Sequence, residues 1–294
     1  MQRRLRFTWF DCLNYVFLFV LMFILFYPFL NQLAISLNEG NDAAKGGIYF
    51  WPRKFSLDSY IHLITNENIL RGAAISVLRV AVGTSTGVFM TGMLAYVISQ
   101  KEFSARRQIR VLFIFTMYFS GGLIPFYLLI MRLNLMNTFH VYWIPRLISP
   151  YFMMLIAAYI TDLPESLTQS ARIDGANEFF IYLSIVFPMS LPVFATIAIY
   201  GAVDHWNSWF DVSLYNGGST RWDTLQIILQ RMIRQLEGVQ KLQDARMIEQ
   251  AARNISSISL RAATTMVVTI PIVCVYPFFQ RYFIGGLTSG AVKG

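Results

Sequence analysis

Charged side chains are scarce in this sequence. Asp, Glu, Lys and Arg make up 14% of its 294 residues, whereas hydrophobic residues make up 55%. The mean hydropathy is accordingly positive, at +0.49. A soluble domain of this length carries more charge on its surface. The composition therefore excludes an ordinary soluble protein and predicts that lipid surrounds most of the chain.

Cysteine and histidine are also rare. The two cysteines, Cys12 and Cys274, lie far apart within or beside apolar segments, and the three histidines are scattered at His62, His140 and His205. None of these spacings is typical of a metal site, and no Ser/His/Asp or paired-carboxylate pattern can be found. A Gly-x-x-x-x-Gly-Lys-Ser/Thr motif is missing too, so any nucleotide must bind to another chain. We expect no metal, no cofactor and no catalysis on this chain.

The abundant feature is long uncharged runs. Each can supply the roughly 20 helical residues that cross a hydrocarbon core of about 30 Å. One further apolar run, over 140–161, is interrupted only by Arg146. The sequence predicts one all-α integral membrane domain over 1–294. Its six predicted spans lie at about 12–37, 74–99, 110–131, 140–162, 188–209 and 260–283. Glycines and prolines within spans three and six predict bends: Gly121, Gly122, Pro125, Pro271 and Pro277.

Lys and Arg in short loops predict the orientation. They precede span one and fill the loop between spans two and three: Arg3, Arg4, Arg6, Lys101, Arg106, Arg107 and Arg110. These segments should be cytoplasmic, and both termini with them. The loops 38–73 and 210–259 then lie outside, the second with an amphipathic helix within 221–253. The formal net charge of +8 flanks apolar runs and forms no basic stripe, so we expect no nucleic-acid partner.

The loop 163–187, between spans four and five, carries the most specific pattern. Asp162 followed by Glu165 predicts a capped helix start. Gly175 should end that helix, and a second helix can begin near Asn177. Such an element presents a short rigid helix on the cytoplasmic face, where a partner's cleft can receive it. The alternative is an ordered loop without a docking role, in which Gly175 is a helix cap.

This loop resembles the coupling loop of permease subunits in ATP-binding-cassette importers. That motif reads Glu-Ala-Ala, three residues, Gly, nine residues, Ile, one residue, Leu-Pro, and every spacing fits here. The departures are Gln169 for Glu, Ser170 for Ala and Phe187 for Leu; without the acid, an ion pair to the ATPase at that position is in question. The candidate coupling residues are Glu165, Gln169, Ser170, Ala171, Asp174, Gly175, Ile185 and Pro188.

The surrounding Ala-Arg-Ile-Asp-Gly-Ala at 171–176 and the C-terminal residues 279–283 and 290–294 resemble the maltose-type, carbohydrate-importing branch of this family, and the resemblance covers nearly the whole chain. Segments 119–125 and 205–209 look most like a sub-branch that includes importers of uronic-acid oligosaccharides such as alginate fragments. The resemblance implies a bacterial inner-membrane complex with a second homologous permease, a dimer of nucleotide-binding ATPase subunits and an extracytoplasmic solute-binding protein. ATP and Mg would be bound and hydrolysed on the ATPase subunits.

The outer end of span five is the candidate substrate path. Intramembrane ionisable groups usually face a bundle interior or water, and sugar rings stack on aromatic side chains. Trp206 and Trp209 share a helix face at a spacing of three, although each alone could belong to an interfacial aromatic belt. The other candidates are Asp204, His205, Asn207, Arg79 and Arg146.

The two arginines suggest an acidic oligosaccharide. If Arg79 and Arg146 both project inward, they give the outer mouth a positive potential; the alternative is that they snorkel to the interface. A rival function is an ion-coupled secondary transporter with Asp204 and His205 as coupling groups. A membrane-embedded enzyme is disfavoured, because no catalytic constellation is present.

Overall fold

The computed structural model describes residues 8–240 and 256–291. Within them the regular structure is helical, which confirms the all-α prediction, and one isolated antiparallel bridge joins Asn38 and Phe55. The α-helices are α1 Trp9–Ser36, α2 Gly40–Ala43, α3 Asp58–Thr65, α4 Glu67–Ser99, α5 Arg106–Tyr118, α6 Leu123–Arg132, α7 Pro150–Thr161, α8 Glu165–Ile173, α9 Glu178–Ile181, α10 Phe187–Met189, α11 Leu191–Asn207, α12 Phe210–Tyr215, α13 Leu225–Gln240 and α14 Ser256–Ala291. Two 3₁₀ turns, Phe139–Tyr142 and Ile144–Arg146, precede α7, and a π-helical turn, Tyr182–Val186, follows α9.

Helices α1 and α4 are each long and apolar enough to cross a membrane. α1 opens with a capping box, in which the Thr8 hydroxyl accepts a hydrogen bond from the Asp11 amide and the Asp11 carboxylate accepts one from the Thr8 amide. Its 28 residues extend for about 42 Å. Its most apolar stretch has none of its residues buried. Such an apolar exposed surface requires lipid or a partner helix around it.

Sharp bends divide predicted spans three and four and lie at the start of predicted span five. α5 and α6 meet at 117°, the 3₁₀ turns and α7 at 47°, and the segment Glu178–Met189 and α11 at 84°. The predicted span at 110–131 is thus divided into two helices, and the bend predicted at Gly121 and Gly122 is confirmed. Phe119 is extended and Gly122 has φ +88°, so the helical hydrogen bonds cannot continue through them.

The described residues contain two helices that could span, or five if each bent pair crosses once. The long helix α14 includes a further, shorter apolar stretch, Ile258–Cys274. Pro271 and Pro277 both lie within α14, which continues through them. The six-span arrangement stays a prediction.

The described residues fall into two compact units. The first lies within Met1–Leu70 and Arg231–Ile270, the second within Arg71–Gln230 and Pro271–Gly294. In the first unit, the loop after α1 is ordered by Asp42, whose carboxylate accepts hydrogen bonds from Asn38 and from Arg53 Nε at 3.0 Å. These bonds hold the pKa of Asp42 below its ordinary value.

The second unit has a core between α4, α7 and α11. Large side chains from the three helices are buried together: Tyr96, Ile98, Met153, Ile156, Ile160, Phe194 and Ile197. α13 lies within the predicted amphipathic segment, with Leu225, Ile227 and Leu229 buried. The end of that predicted segment, 241–253, lies outside the described residues.

Candidate functional site

A cluster of charged side chains lies where α4, the 3₁₀ turn Ile144–Arg146 and the end of α11 meet. The Arg79 side chain is fully buried, and its guanidinium donates hydrogen bonds to both carboxylate oxygens of Asp211 and to the Ser208 carbonyl at 3.3 Å. The same guanidinium lies over the Tyr142 ring, 4.6 Å from its centroid. Arg79 is therefore paired inside the protein and does not snorkel to an interface.

Arg146 joins the cluster from the 3₁₀ turn. Its Nη1 donates to Asp204 Oδ2 at 2.5 Å, and its Nη2 donates to the Ser208 hydroxyl at 3.2 Å and lies 3.7 Å from Asp211 Oδ2. Both arginines thus face one cluster, where each is paired with a carboxylate. Two positive and two negative groups leave no net charge. The prediction of an unbalanced positive potential at the mouth is wrong for this arrangement.

His205 lies beside this cluster on α11. Its ring is buried against Gly83 of α4, and Nδ1 has no hydrogen-bond partner within the described part of the chain. His205 therefore packs between α4 and α11. Asn207, another predicted residue of the substrate path, is the last residue of α11.

The two tryptophans do not share a helix face, so that prediction is wrong. α11 ends at Asn207 and the backbone of Ser208 is extended, which turns Trp209 away from the helical register. Trp206 lines an apolar cleft with Val77 and Val80 of α4. Trp209 instead contacts Phe210 edge to face, with ring centroids 5.9 Å apart.

A cleft of about 530 Å³ opens between α4, α7 and α11. Its lining is mostly apolar, with aliphatic residues such as Val88, Ile148 and Ile197. It also includes small, hydroxyl, aromatic and charged residues: Gly83, Thr84, Thr91, Arg146, Phe152, Tyr200, Asp204 and His205. Tyr200 is exposed, and its ring centroid lies 6.0 Å from that of Phe152. Aromatic rings beside hydrogen-bonding groups are what a sugar ring requires.

Sequence reasoning missed Tyr200, Phe152 and Asp211. Tyr200 lies four residues before Asp204 on one helix, so the same face of span five carries both. Asp211 could have been found by asking which acid pairs with an intramembrane arginine. No sequence pattern around Phe152 indicates the cleft, because Phe152 belongs to α7 and only folding brings it beside α11.

The second candidate site is the predicted helix-glycine-helix segment, and its local geometry is present. α8 ends in a Schellman motif, in which the Ala176 amide donates to the Ala171 carbonyl at 3.0 Å and the Gly175 amide to the Arg172 carbonyl at 3.1 Å. Gly175 adopts φ +83°, and Asn177 caps α9 by accepting a hydrogen bond from the Phe180 amide at 2.8 Å.

The predicted cap of α8 is wrong. Pro164 occupies the N-cap position and makes no side-chain capping bond. Asp162 is instead the C-cap residue of α7, because the connection between α7 and α8 is too short to leave it free for α8. Glu165 begins α8 and pairs with Lys101 in the loop after α4.

Arg172 connects α8 to α9 and to the end of α4. Its guanidinium donates to Glu178 Oε1 at 2.8 Å and to Gln100 Oε1 at 2.7 Å, and lies 3.5 Å from Glu102. The Tyr96 hydroxyl donates to Glu178 as well, at 2.5 Å. The bond from Arg172 holds the pKa of the Glu178 carboxyl below its ordinary value of 4.5, although partial burial opposes this shift. Sequence reasoning did not select Arg172.

The outer face of α8 is open to solvent. Ile173 is 85% exposed, and Leu167, Gln169 and Ser170 are exposed too. Asp174 is the C-cap residue of α8. The remaining predicted residues lie toward the body of the unit: Ala171 and Ile185 pack against the core, and Pro188 lies in α10.

The chain is similar in sequence to a known protein over nearly the whole length of both, and it shares its fold with solved structures. No family model matches the chain. The chain is 32% identical over 286 residues, 97% of its length and 98% of the relative's, to the polygalacturonan/rhamnogalacturonan transport system permease protein YtcP of Bacillus subtilis (strain 168).

Two solved structures share the fold. The first belongs to a bacterial ABC transporter involved in the import of the acidic polysaccharide alginate, with TM-score 0.82, 24% identity, and coverage of 93% of this chain and 96% of that one. The second, from a bacterial alginate ABC transporter in complex with an alginate pentasaccharide-bound periplasmic protein, has TM-score 0.55, 16% identity, and coverage of 92% and 93%.

Proposed function

This chain belongs to the permease subunits of ATP-binding-cassette sugar importers, and we propose that it carries an acidic oligosaccharide and receives the driving motion through α8. The relative YtcP is named as the permease of a polygalacturonan/rhamnogalacturonan transport system, and polygalacturonan is built from a uronic acid. The chain itself is a multi-pass membrane protein and a transport subunit, and ATP and Mg belong to partner chains.

The observation that carries the coupling role is the rigid attachment of an exposed helix. α8 presents Ile173 and Leu167 to solvent, while Arg172 on its opposite side is bonded to Gln100 and Glu178. A push on the exposed face is thereby passed to α4 and to the turn that leads into α11. This is a rigid-body transmission, with no chemistry on the chain itself.

The proposed assembly contains a second homologous permease, a dimer of ATPase subunits and a solute-binding protein. The periplasmic protein in the related alginate transporter supports the last of these. We place the loop 163–187 and both termini in the cytoplasm, and the Arg79–Asp211 cluster on the outer side of the membrane. This placement puts α8 beside the ATPase and the cleft between α4, α7 and α11 beside the incoming substrate.

Reconstitution tests the proposal. The chain is co-expressed with its partner permease and ATPase, and the purified complex is placed in proteoliposomes with the binding protein. We expect ATP-dependent uptake of an oligogalacturonate. Uptake by this chain alone, driven by an ion gradient and independent of ATP, would contradict the proposal and indicate a secondary transporter.

A further inference from the structure

The two aspartates of the charged cluster are held very differently. Asp211 has a side chain only 12% exposed, and it accepts hydrogen bonds from Arg79, from the Ser208 hydroxyl at 2.9 Å and from the Val212 amide at 2.9 Å. The Asp204 side chain is 67% exposed in the wall of the cleft between α4, α7 and α11, where it accepts a hydrogen bond from Arg146. Asp211 is a fixed partner, whereas Asp204 is an exchangeable one.

Arg146 is the hydrogen-bond donor that becomes available to another carboxylate when Asp204 turns away. Its side chain is 35% exposed and lines the cleft, and its other nitrogen is anchored by Ser208 and Asp211. A guanidinium anchored on one side keeps its position when the partner on the other side leaves. It can then receive another carboxylate with the same planar geometry.

We propose that Arg146 is the acceptor for a substrate uronate carboxylate, and that Asp204 occupies its place while the cleft is empty. This inference rests on the proposed function, since it assumes that a sugar enters the cleft. The incoming carboxylate accepts the hydrogen bond from Arg146 Nη1, and Asp204 turns toward the solvent of the cleft. Arg146 therefore has a carboxylate partner both with and without substrate, whereas Asp204 is paired only while the cleft is empty.

The same cleft provides the surface for the sugar ring. Tyr200 precedes Asp204 by one helical turn, and its exposed ring lies beside Phe152. An apolar sugar face can lie on these rings while the carboxylate reaches Arg146. A neutral sugar can use the aromatic surface but cannot displace Asp204, because its hydroxyls offer no charge-assisted hydrogen bond. Selection for acidic sugars thus depends on competition between two carboxylates.

The test compares trigalacturonate with its methyl ester, which differ in charge and share the sugar rings. Binding of each is measured by calorimetry on the assembled transporter in nanodiscs, in the wild type, Asp204→Asn and Arg146→Gln. Asp204→Asn should widen the preference for the acid over the ester by about tenfold, since a competing charge-assisted bond is removed. Arg146→Gln should bring the ratio of the two dissociation constants close to one.

Glu39→Gln is the matched control. Glu39 pairs with Lys54 at 3.2 Å in the loop after α1, so this variant removes one carboxylate charge away from the cleft. Its preference should equal that of the wild type. Two outcomes would overturn the proposed exchange. One is a ratio of the two dissociation constants in Asp204→Asn equal to that of the wild type. The other is an equal loss of affinity for the acid and the ester in either cleft variant. ATP-driven oligosaccharide uptake by the wild type, measured separately, decides the proposed function independently of this result.

Discussion

The His205 ring lies directly against Gly83, so that a Cβ on residue 83 would stand 2.5 Å from Nε2 and 2.6 Å from Cε1. Cβ atoms do not approach ring atoms so closely, and α4 and α11 can keep this spacing only with glycine at 83. A second glycine of α4, Gly92, is close to α11 in the same way, since its Cβ would lie 2.4 Å from Phe194 Cε1. The cluster of Arg79 and Arg146 depends on this close approach, because α4 and α11 both contribute to it.

Gly83→Ala should therefore destabilise the protein. Overpacking against the buried imidazole should cost about 1–3 kcal/mol of the free energy of unfolding. The measurement is the thermal unfolding midpoint of the detergent-solubilised protein. Gly87→Ala is the control, because a Cβ there would lie 3.7 Å from the Arg146 carbonyl, an ordinary contact. Equal midpoints for the two variants would show that α4 and α11 can move apart without a loss of stability.

The buried pair of Arg79 and Asp211 makes a second prediction. Asp211→Asn leaves a fully buried guanidinium without its main counter-charge, which should lower the free energy of unfolding by about 3–5 kcal/mol. Combining Arg79→Met with Asp211→Leu should restore most of that loss, since apolar groups of similar size need no compensation. Chemical unfolding of the single and double variants measures the effect. A double variant no more stable than Asp211→Asn would argue against an electrostatic cause.

Gly175 provides a test of the coupling role. A β-branched residue at φ +83° strains the backbone by about 1–2 kcal/mol, although the space around Gly175 is open. Gly175→Val should insert into the membrane normally but lose substrate-stimulated ATP hydrolysis and uptake. Gly175→Asn should retain both, because Asn tolerates the left-handed conformation. Full coupling in Gly175→Val would rule out a role for this bend.

Arg172 should matter for coupling more than its exposed neighbours do. Arg172→Gln breaks the bonds to Glu178 and Gln100, so uptake per ATP hydrolysed should fall several-fold. Lys101→Gln, which breaks an exposed pair with Glu165, should change little. Uptake and hydrolysis are measured together in proteoliposomes, and equal ratios in both variants would contradict the prediction.

The contact between Arg172 and Glu178 should not depend on pH in the physiological range. The pKa of Glu178 is lowered in the folded protein, so its stabilising contribution is complete above the ordinary value of 4.5 and is lost as pH falls through the lower, folded-state value. The uptake ratio between Arg172→Gln and the wild type should be the same at pH 6 and pH 8. A ratio that changes between these values would assign the effect to another group.

The bent pair of α5 and α6 allows a test of the six-span arrangement. If this pair crosses the membrane once, cysteines introduced at Ser104 and Leu133 are labelled from opposite sides by an impermeant reagent. The background lacks Cys12 and Cys274. Labelling from the same side would mean that α5 and α6 form a re-entrant loop, and the span count would fall.

The sequence by itself determined the class of protein and the local structure of one loop. Uncharged runs long enough to cross a bilayer favour helices in lipid, because the backbone N–H and C=O groups must then form their hydrogen bonds within the segment. The bend at Gly175 followed from glycine's access to positive φ, and the one at Gly121 and Gly122 from their freedom within an apolar run. Each of these conclusions depends on residues close together in the chain, where spacing and composition decide the conformation.

The tertiary structure alone decided which charges meet. Arg79 and Asp211 are separated by 132 residues, and Arg146 and Asp204 by 58. The pattern around each arginine indicates an ionisable group in an apolar segment but does not identify its partner, so it leaves inward projection and snorkelling both open. The end of α11 at Asn207 likewise separated two tryptophans that helical spacing had placed together. Pairing and helix ends of this kind follow from packing between distant segments, whose free energy no local pattern contains.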